Sequence, residues 1–185
     1  MPYTRHTELA NRHDSALLVI DVQERLVPHI SDHERLVANI ERLVAAAELL
    51  NVPAVATEQY PQGLGGTVDP LRSQLETRHT KVTFSAATLE EMTDAWKEAG
   101  RYKIIVAGME SHVCVMQTVL DLLAEGFRVS VVADAVSSRS LDDKEVALRR
   151  METSGACLVT TEMIIFEWLE TASADEFKAV QQLIK

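Results

Sequence analysis

Short, continuous apolar runs alternate along the chain with longer segments whose apolar residues recur every three or four positions. Ala16-Leu17-Leu18-Val19-Ile20 is the first run. It is too short for a helix, rich in branched side chains and apolar at every position, which predicts a strand buried on both faces. Leu36, Val37, Ile40, Leu43, Val44, Ala47 and Leu50 then mark one side of an amphipathic helix, with Ser31 or Asp32 placed to cap it. Pro53-Ala54-Val55-Ala56-Thr57 predicts a second strand, its proline at the first position, where a missing N–H is tolerated. From Glu58 to Leu75, Pro61, Gly63, Gly65, Gly66 and Pro70 predict a long loop, of the kind that usually carries function. A third strand falls around Thr80 to Phe84. Thr88-Leu89-Glu90-Glu91 comes next with capping-box spacing and opens a helix that places Met92, Ala95, Trp96 and Ala99 on one side and stops at Gly100.

Ile104-Ile105-Val106-Ala107 is strand four, and the apolar segment Val113 to Ala124 after it has helical length, ending at Gly126. Arg128 to Ala133 supplies Val129, Val131 and Val132 to a fifth strand. Ser140 with Asp143 three residues on caps a helix to Thr153, acidic at its start and carrying Arg149 and Arg150 near its end, as the helix dipole favours. Gly155 closes it, and Cys157-Leu158-Val159-Thr160 is strand six. Thr161 to Leu169 predicts a turn or two of helix, and Ser173 with Glu176 caps a last helix that uses Phe177, Val180 and Ile184. Six strands alternating with helices predict an α/β fold, a single three-layer domain over residues 1–185 with a mainly parallel sheet and helices on both faces. In the common strand order 3-2-1-4-5-6, ligands bind beyond the carboxyl ends of strands one and four.

Three polar residues converge there. Asp21 ends strand one, Lys81 lies on or near strand three, and Cys114 comes after strand four in the first turn of its helix. Each alone has a plain structural reading: a turn cap, a solvated lysine, a small buried hydrophobe. Three meeting at one crevice argue for chemistry. A free thiol is only a few per cent thiolate at neutral pH. Unpaired N–H groups at a helix start favour an anion, which predicts a lowered pKa for Cys114 and a place for an oxyanion formed when sulfur attacks a carbonyl.

Composition narrows the function class. The chain of 185 residues is long enough to bury a core without disulfides, and its two cysteines form no Cys-x-x-Cys pair. A reducing, cytoplasmic setting is therefore expected, with Cys157 simply packed in its strand. The polar stretch Met1 to Ser15 predicts no signal peptide, and no apolar run approaches the roughly 18 residues of a membrane span. A net charge of −10 with scattered lysines and arginines argues against nucleic acid, which needs a clustered basic face. A dinucleotide-dependent reductase would need Gly-x-Gly-x-x-Gly after strand one, whereas Gly63-Leu64-Gly65-Gly66 comes after strand two. His29 and His33 are four apart, but a helix start separates them, so they read as exposed bystanders and not metal ligands.

Leu18-Val19-Ile20-Asp21-Val22-Gln23, Lys81 within His79-Thr80-Lys81-Val82-Thr83-Phe84-Ser85-Ala86, Gly108-Met109-Glu110-Ser111-His112-Val113-Cys114-Val115 and Val132-Ala133-Asp134-Ala135 occur in this order and spacing. Together, from Ala16 to about Thr161, they make the chain resemble the isochorismatase-like cysteine hydrolase superfamily, which includes nicotinamidases and N-carbamoylsarcosine amidohydrolases. The Tyr60-Pro61-Gln62-Gly63-Leu64-Gly65 loop is most similar to the branch of small isochorismatase-domain proteins. The resemblance implies a catalytic triad of Asp21, Lys81 and Cys114, a cis peptide between Met109 and Glu110, and an oxyanion hole from the backbone N–H groups of Glu110 and Cys114. Gln23, Tyr60, Phe84 and His112 are the expected substrate-lining residues, with Phe84 equally suited to the core and His112 to a local hydrogen bond. Metal-dependent nicotinamidases carry an Asp with nearby histidines after strand two; here that place reads Thr57-Glu58-Gln59-Tyr60, so no metal or other cofactor is expected. Enzymes that cleave isochorismate itself lack the cysteine, so Cys114 points to acyl transfer on a small amide, carbamoyl or related substrate. Relatives are commonly oligomeric, which implies a homo-oligomer, and Phe166 and Trp168 suit either its interface or the core. The alternative is a catalytically idle member of the fold that serves binding or assembly.

Overall fold

The computed structural model describes residues 4–185. Its six strands, β1 (Ser15–Ile20), β2 (Ala54–Gln59), β3 (Arg78–Lys81), β4 (Lys103–Met109), β5 (Arg128–Ser137) and β6 (Cys157–Val159), form one parallel sheet in the order β3-β2-β1-β4-β5-β6. The helices are α1 (His33–Leu49), α2 (Pro61–Leu64), α3 (Leu71–Gln74), α4 (Glu90–Glu98), α5 (Met116–Ala124), α6 (Leu141–Thr153), α7 (Thr161–Leu169) and α8 (Phe177–Ile184).

The continuous apolar runs are explained by burial on two sides. In β1, Leu17 and Val19 join a core with α1, α7 and α8, while Ala16, Leu18 and Ile20 join a second core with α4, α5 and α6. In β4, Ile105 and Ala107 face the first core, and Ile104 and Val106 the second. Trp168 belongs wholly to the first core, whereas Phe166, two residues earlier on α7, is exposed. Cys157 packs partly buried against that same core.

Several local expectations are corrected. The segment after β2 is not a structureless loop, because β2 runs on to Gln59 and the short helices α2 and α3 occupy much of the stretch between Tyr60 and Leu75. The third strand lies earlier than expected. It ends at Lys81, whose ammonium turns inward and donates hydrogen bonds to the carbonyls of Thr83 and Phe84. Thr88 does not cap α4: it lies in a 3-10 turn, Ala86–Thr88, that Ser85 caps through Ala87 N–H, and α4 starts from Leu89 with no side-chain cap. Asp32 stands at the start of α1 without a capping bond, while Ser31 donates to the Arg139 carbonyl. Ser173 bonds with Thr171 and does not cap α8. Ser140 does cap α6, accepting from Asp143 N–H at 3.4 Å.

Ile20 of β1 pairs with Gly108 of β4 where the strand order reverses. A Cβ on Gly108 would lie 2.2 Å from the Ile20 carbonyl oxygen, and φ there is +119°. The glycine is therefore what lets the two strand ends close up, leaving Asp21 and the turn after Met109 side by side. No helix among the described residues is long and apolar enough to cross a membrane.

Candidate active site

Asp21 is the first residue past β1, and its backbone sits in the left-handed region, φ +52°. That conformation is unusual for a residue other than glycine and is held here by the surroundings, its N–H donating to the Thr57 carbonyl at 3.1 Å. The side chain is fully buried. Lys81 Nζ donates to Asp21 Oδ2 at 2.7 Å, and the Thr57 hydroxyl donates to Oδ1 at 2.7 Å. The ion pair has its ammonium side chain 1% and its carboxylate 0% exposed.

Cys114 comes to this carboxylate from β4. After Met109 the chain makes a cis peptide to Glu110 and then a single π-helical turn, Ser111–Val115, before α5 begins. Val115 N–H reaches back five residues to the Glu110 carbonyl at 3.1 Å, the bond that defines such a turn. Thr118 secures it: its hydroxyl donates to the Cys114 carbonyl at 2.7 Å and accepts from Ala86 N–H at 2.9 Å. The turn that carries Cys114 is thereby tied to the segment just past Lys81.

The expected lowering of the Cys114 pKa is reversed. Burial, chiefly, pushes the thiol up to about 12, and the charge and hydrogen bond of Asp21 and the charge of Glu110 push the same way, against the opposing ammonium of Lys81. At neutral pH the site therefore holds a thiol beside a buried carboxylate–ammonium pair. The raised value also makes stability depend on pH at the alkaline end. Below pH 9.0 both folded and unfolded chains keep this proton; between there and about 12 only the folded chain does, so stability falls as pH rises. In alkaline urea titrations the wild type is expected to lose up to about 1.4 kcal/mol per pH unit more than Cys114→Ala. Parallel slopes for the two proteins would contradict the burial.

The other expected site residues divide. Gln23 does not line a pocket: it is fully buried and its amide is spent on the backbone, donating to the carbonyls of Gln59 at 2.9 Å and Gly65 at 2.7 Å and accepting from Gln59 N–H at 2.7 Å. Tyr60 is 55% exposed and borders a groove of about 480 Å³ with Pro61, Lys81, Val82 and Leu89. Cys114 is not on that groove's wall. Phe84 is 53% exposed and so not core, and its carbonyl binds Lys81. His112 bonds Ser138 through Nδ1 at 2.9 Å and lies 3.7 Å from the Glu110 carboxylate, which Arg139 also holds at 2.7 Å. His29 is exposed and His33 bonds the Ile30 carbonyl, so the two form no pair. Among the described residues no cluster of three or more His, Cys, Asp or Glu is placed to hold a metal ion.

Thr57, Gln59 and Thr118 were not among the expected site residues. Gln59 Oε1 accepts from Lys81 at 2.8 Å. Thr57 and Gln59 alternate along β2, opposite the ends of β1 and β3, and that spacing is the one signal that could have found them.

A model of the isochorismatase domain matches residues 15–163. Isochorismatase domain-containing protein 2 of Danio rerio is 41% identical over 171 residues, covering 92% of this chain and 86% of its own. Among solved structures, that of the MAR1 ribonuclease from Caenorhabditis elegans superposes with a TM-score of 0.88 at 40% identity, covering 95% of this chain and 91% of the other. The YcaC gene product of Escherichia coli, described as an octameric hydrolase of unknown specificity, gives 0.87 at 27% identity over 100% of this chain and 91% of the other.

Proposed function

The chain belongs to the isochorismatase domain family, and we propose that it is a metal-independent cysteine hydrolase acting on a small amide, carbamoyl or related acyl substrate. The observation that carries this reading is the fully buried Asp21 carboxylate, held by Lys81 at 2.7 Å, whose charge bears on the Cys114 thiol. Because the resting sulfur keeps its proton, attack requires a base that takes it as the carbon–sulfur bond forms. Asp21 is that base. Lys81 stabilises the carboxylate, and the backbone N–H groups of Glu110 and Cys114 receive the negative charge that develops on the carbonyl oxygen. Asp21 then returns the proton to the leaving amine, the carbon–nitrogen bond breaks, and a thioester remains. Water, deprotonated by the same carboxylate, attacks the thioester and releases the acid and the thiol.

Tyr60, which lines the groove beside Lys81, is the proposed selector of the substrate, with Phe84 and His112 assigned the same role. The octameric hydrolase at 27% identity supports a homo-oligomer here, and two cysteines without a disulfide suit a cytoplasmic setting. The ribonuclease name of the worm protein raises RNA as a second substrate class. A thiol nucleophile suits a carbonyl and not a phosphodiester, and a net charge of −10 repels a polyanion. The test is a turnover screen of small primary amides, carbamoyl compounds, esters and a single-stranded RNA, with Cys114→Ala as the blank. Hydrolysis of at least one acyl compound by the wild type alone is expected. RNA cleavage that survives in Cys114→Ala, or no acyl turnover at all, would overturn the reading in favour of a nuclease or of an idle binding protein.

A further inference from the structure

Lys81 Nζ is surrounded by four oxygens: Asp21 Oδ2 at 2.7 Å, Gln59 Oε1 at 2.8 Å, the Phe84 carbonyl at 3.0 Å and the Thr83 carbonyl at 3.2 Å. An ammonium has three N–H bonds, so every donor is committed and none remains for a substrate. Lys81 thus acts on the reaction only through Asp21. Of its four acceptors, three are neutral amide oxygens, which are too weakly basic to take a proton.

We infer that Gln59 is a positioning residue: its uncharged amide oxygen holds Lys81 against Asp21 without competing for the proton that Asp21 takes from Cys114. The inference rests on the cysteine hydrolase reading and extends it to a residue that touches neither sulfur nor substrate. The orientation of the amide is set by its other end. Gln59 Nε2 donates to the Val82 carbonyl at 2.8 Å, and since a carbonyl can only accept, Oε1 must be the atom that faces Lys81. The backbone of Gln59 is in turn clamped by Gln23, which bonds both its N–H and its carbonyl from the end of β1. A chain of contacts therefore runs from Gln23 through Gln59 to Lys81 and back to Asp21, two residues from where it began.

The neutrality of Gln59 is what a substitution can test. A glutamate of the same length would put a second negative charge on Lys81 and draw the ammonium's field from Asp21, weakening the support that Lys81 gives its carboxylate. The titratable groups that bear on Asp21 are Lys81 from β3 and Cys114 from the π-helical turn. Glu110 bears on Cys114 by its charge and is itself paired with Arg139 and His112.

The experiment tracks iodoacetamide alkylation of Cys114 by mass spectrometry from about pH 3 to pH 7, where carboxylates titrate and ordinary thiols stay mostly protonated, with Cys157 compared between variants at each pH as internal reference. It needs no substrate. Failure of the hydrolase reading appears as absent turnover, and failure of the Gln59 inference appears in the alkylation profile. In Gln59→Glu the acid limb of the Cys114 profile is expected to move up by about one pH unit, with Cys157 unaffected. In Gln59→Met, which keeps the length and removes the acceptor, the Cys114 plateau is expected to fall about tenfold relative to Cys157 with its acid limb in place. A side chain that merely braces the fold would lower the melting temperature and leave the limb where it was. An unmoved limb in Gln59→Glu overturns the inference. Should that variant not be recovered folded, a wild-type plateau in Gln59→Met overturns it.

Discussion

Cys114→Ala is expected to lower kcat on any substrate the wild type hydrolyses by at least about 10³-fold, and toward 10⁶-fold if positioning by the rest of the site contributes little on its own. In the proposed mechanism Cys114 is the thiol that Asp21 deprotonates; Cys157, the other cysteine of the chain, packs against the opposite core. Removing Sγ leaves the carboxylate, the ammonium and the backbone donors in place, but no thioester can form. KM is expected to change far less than kcat, because Cys114 is only 7% exposed and contributes little surface to ground-state binding. Cys114→Ser keeps a hydroxyl at the same place. It is expected to be almost as inactive, since an alcohol's proton is held far more tightly than a thiol's. Activity within tenfold of the wild type in Cys114→Ala would remove the nucleophile from the mechanism.

Lys81→Met is expected to destabilise the fold by about 3–5 kcal/mol, because it leaves the Asp21 carboxylate buried with no counter-charge. For a chain of this length that corresponds to a fall in Tm of about 6–20 °C. The pair is wholly internal, so solvent screening cannot soften the loss as it would for a surface bridge such as Arg149–Glu145. Asp21→Asn combined with Lys81→Met removes both charges and should recover most of that stability while remaining inactive. A double-mutant cycle in urea would measure the coupling. Single and double variants of equal stability would mean that the two side chains are not paired in solution.

How much of this was legible in the sequence depends on the range of the physics involved. The run Ala16 to Ile20 predicted a doubly buried strand and Ile104 to Ala107 a fourth strand; both are strands buried on two faces, since consecutive apolar side chains in extended backbone must point to both faces. Asp21, Lys81 and Cys114 stood out because each is a polar residue at or near a strand end in a chain whose strand order places those ends together. Capping was read less well. Thr88 and Ser173 had the right spacing from an acidic residue, yet Thr88 shares its hydroxyl with Thr83 and the Ser85 carbonyl, and Ser173 with Thr171. Hydroxyl groups have several neighbours within reach, and spacing does not say which one wins.

By itself the sequence determined the alternation of strands and helices, the class of sheet and the three residues that meet at its switch point, because hydrophobic period and strand-end polarity act over a few neighbouring positions. Only the tertiary structure decided that Cys114 is a protonated thiol and not an activated one, that Gln23 is a clamp and not a pocket wall, and that Gln59 shares Lys81 with Asp21. Those properties are sums over residues 21, 23, 59, 81 and 114. Desolvation and hydrogen-bond partnership come into being when such distant positions are brought within about 3 Å of one another, and no local pattern encodes that distance.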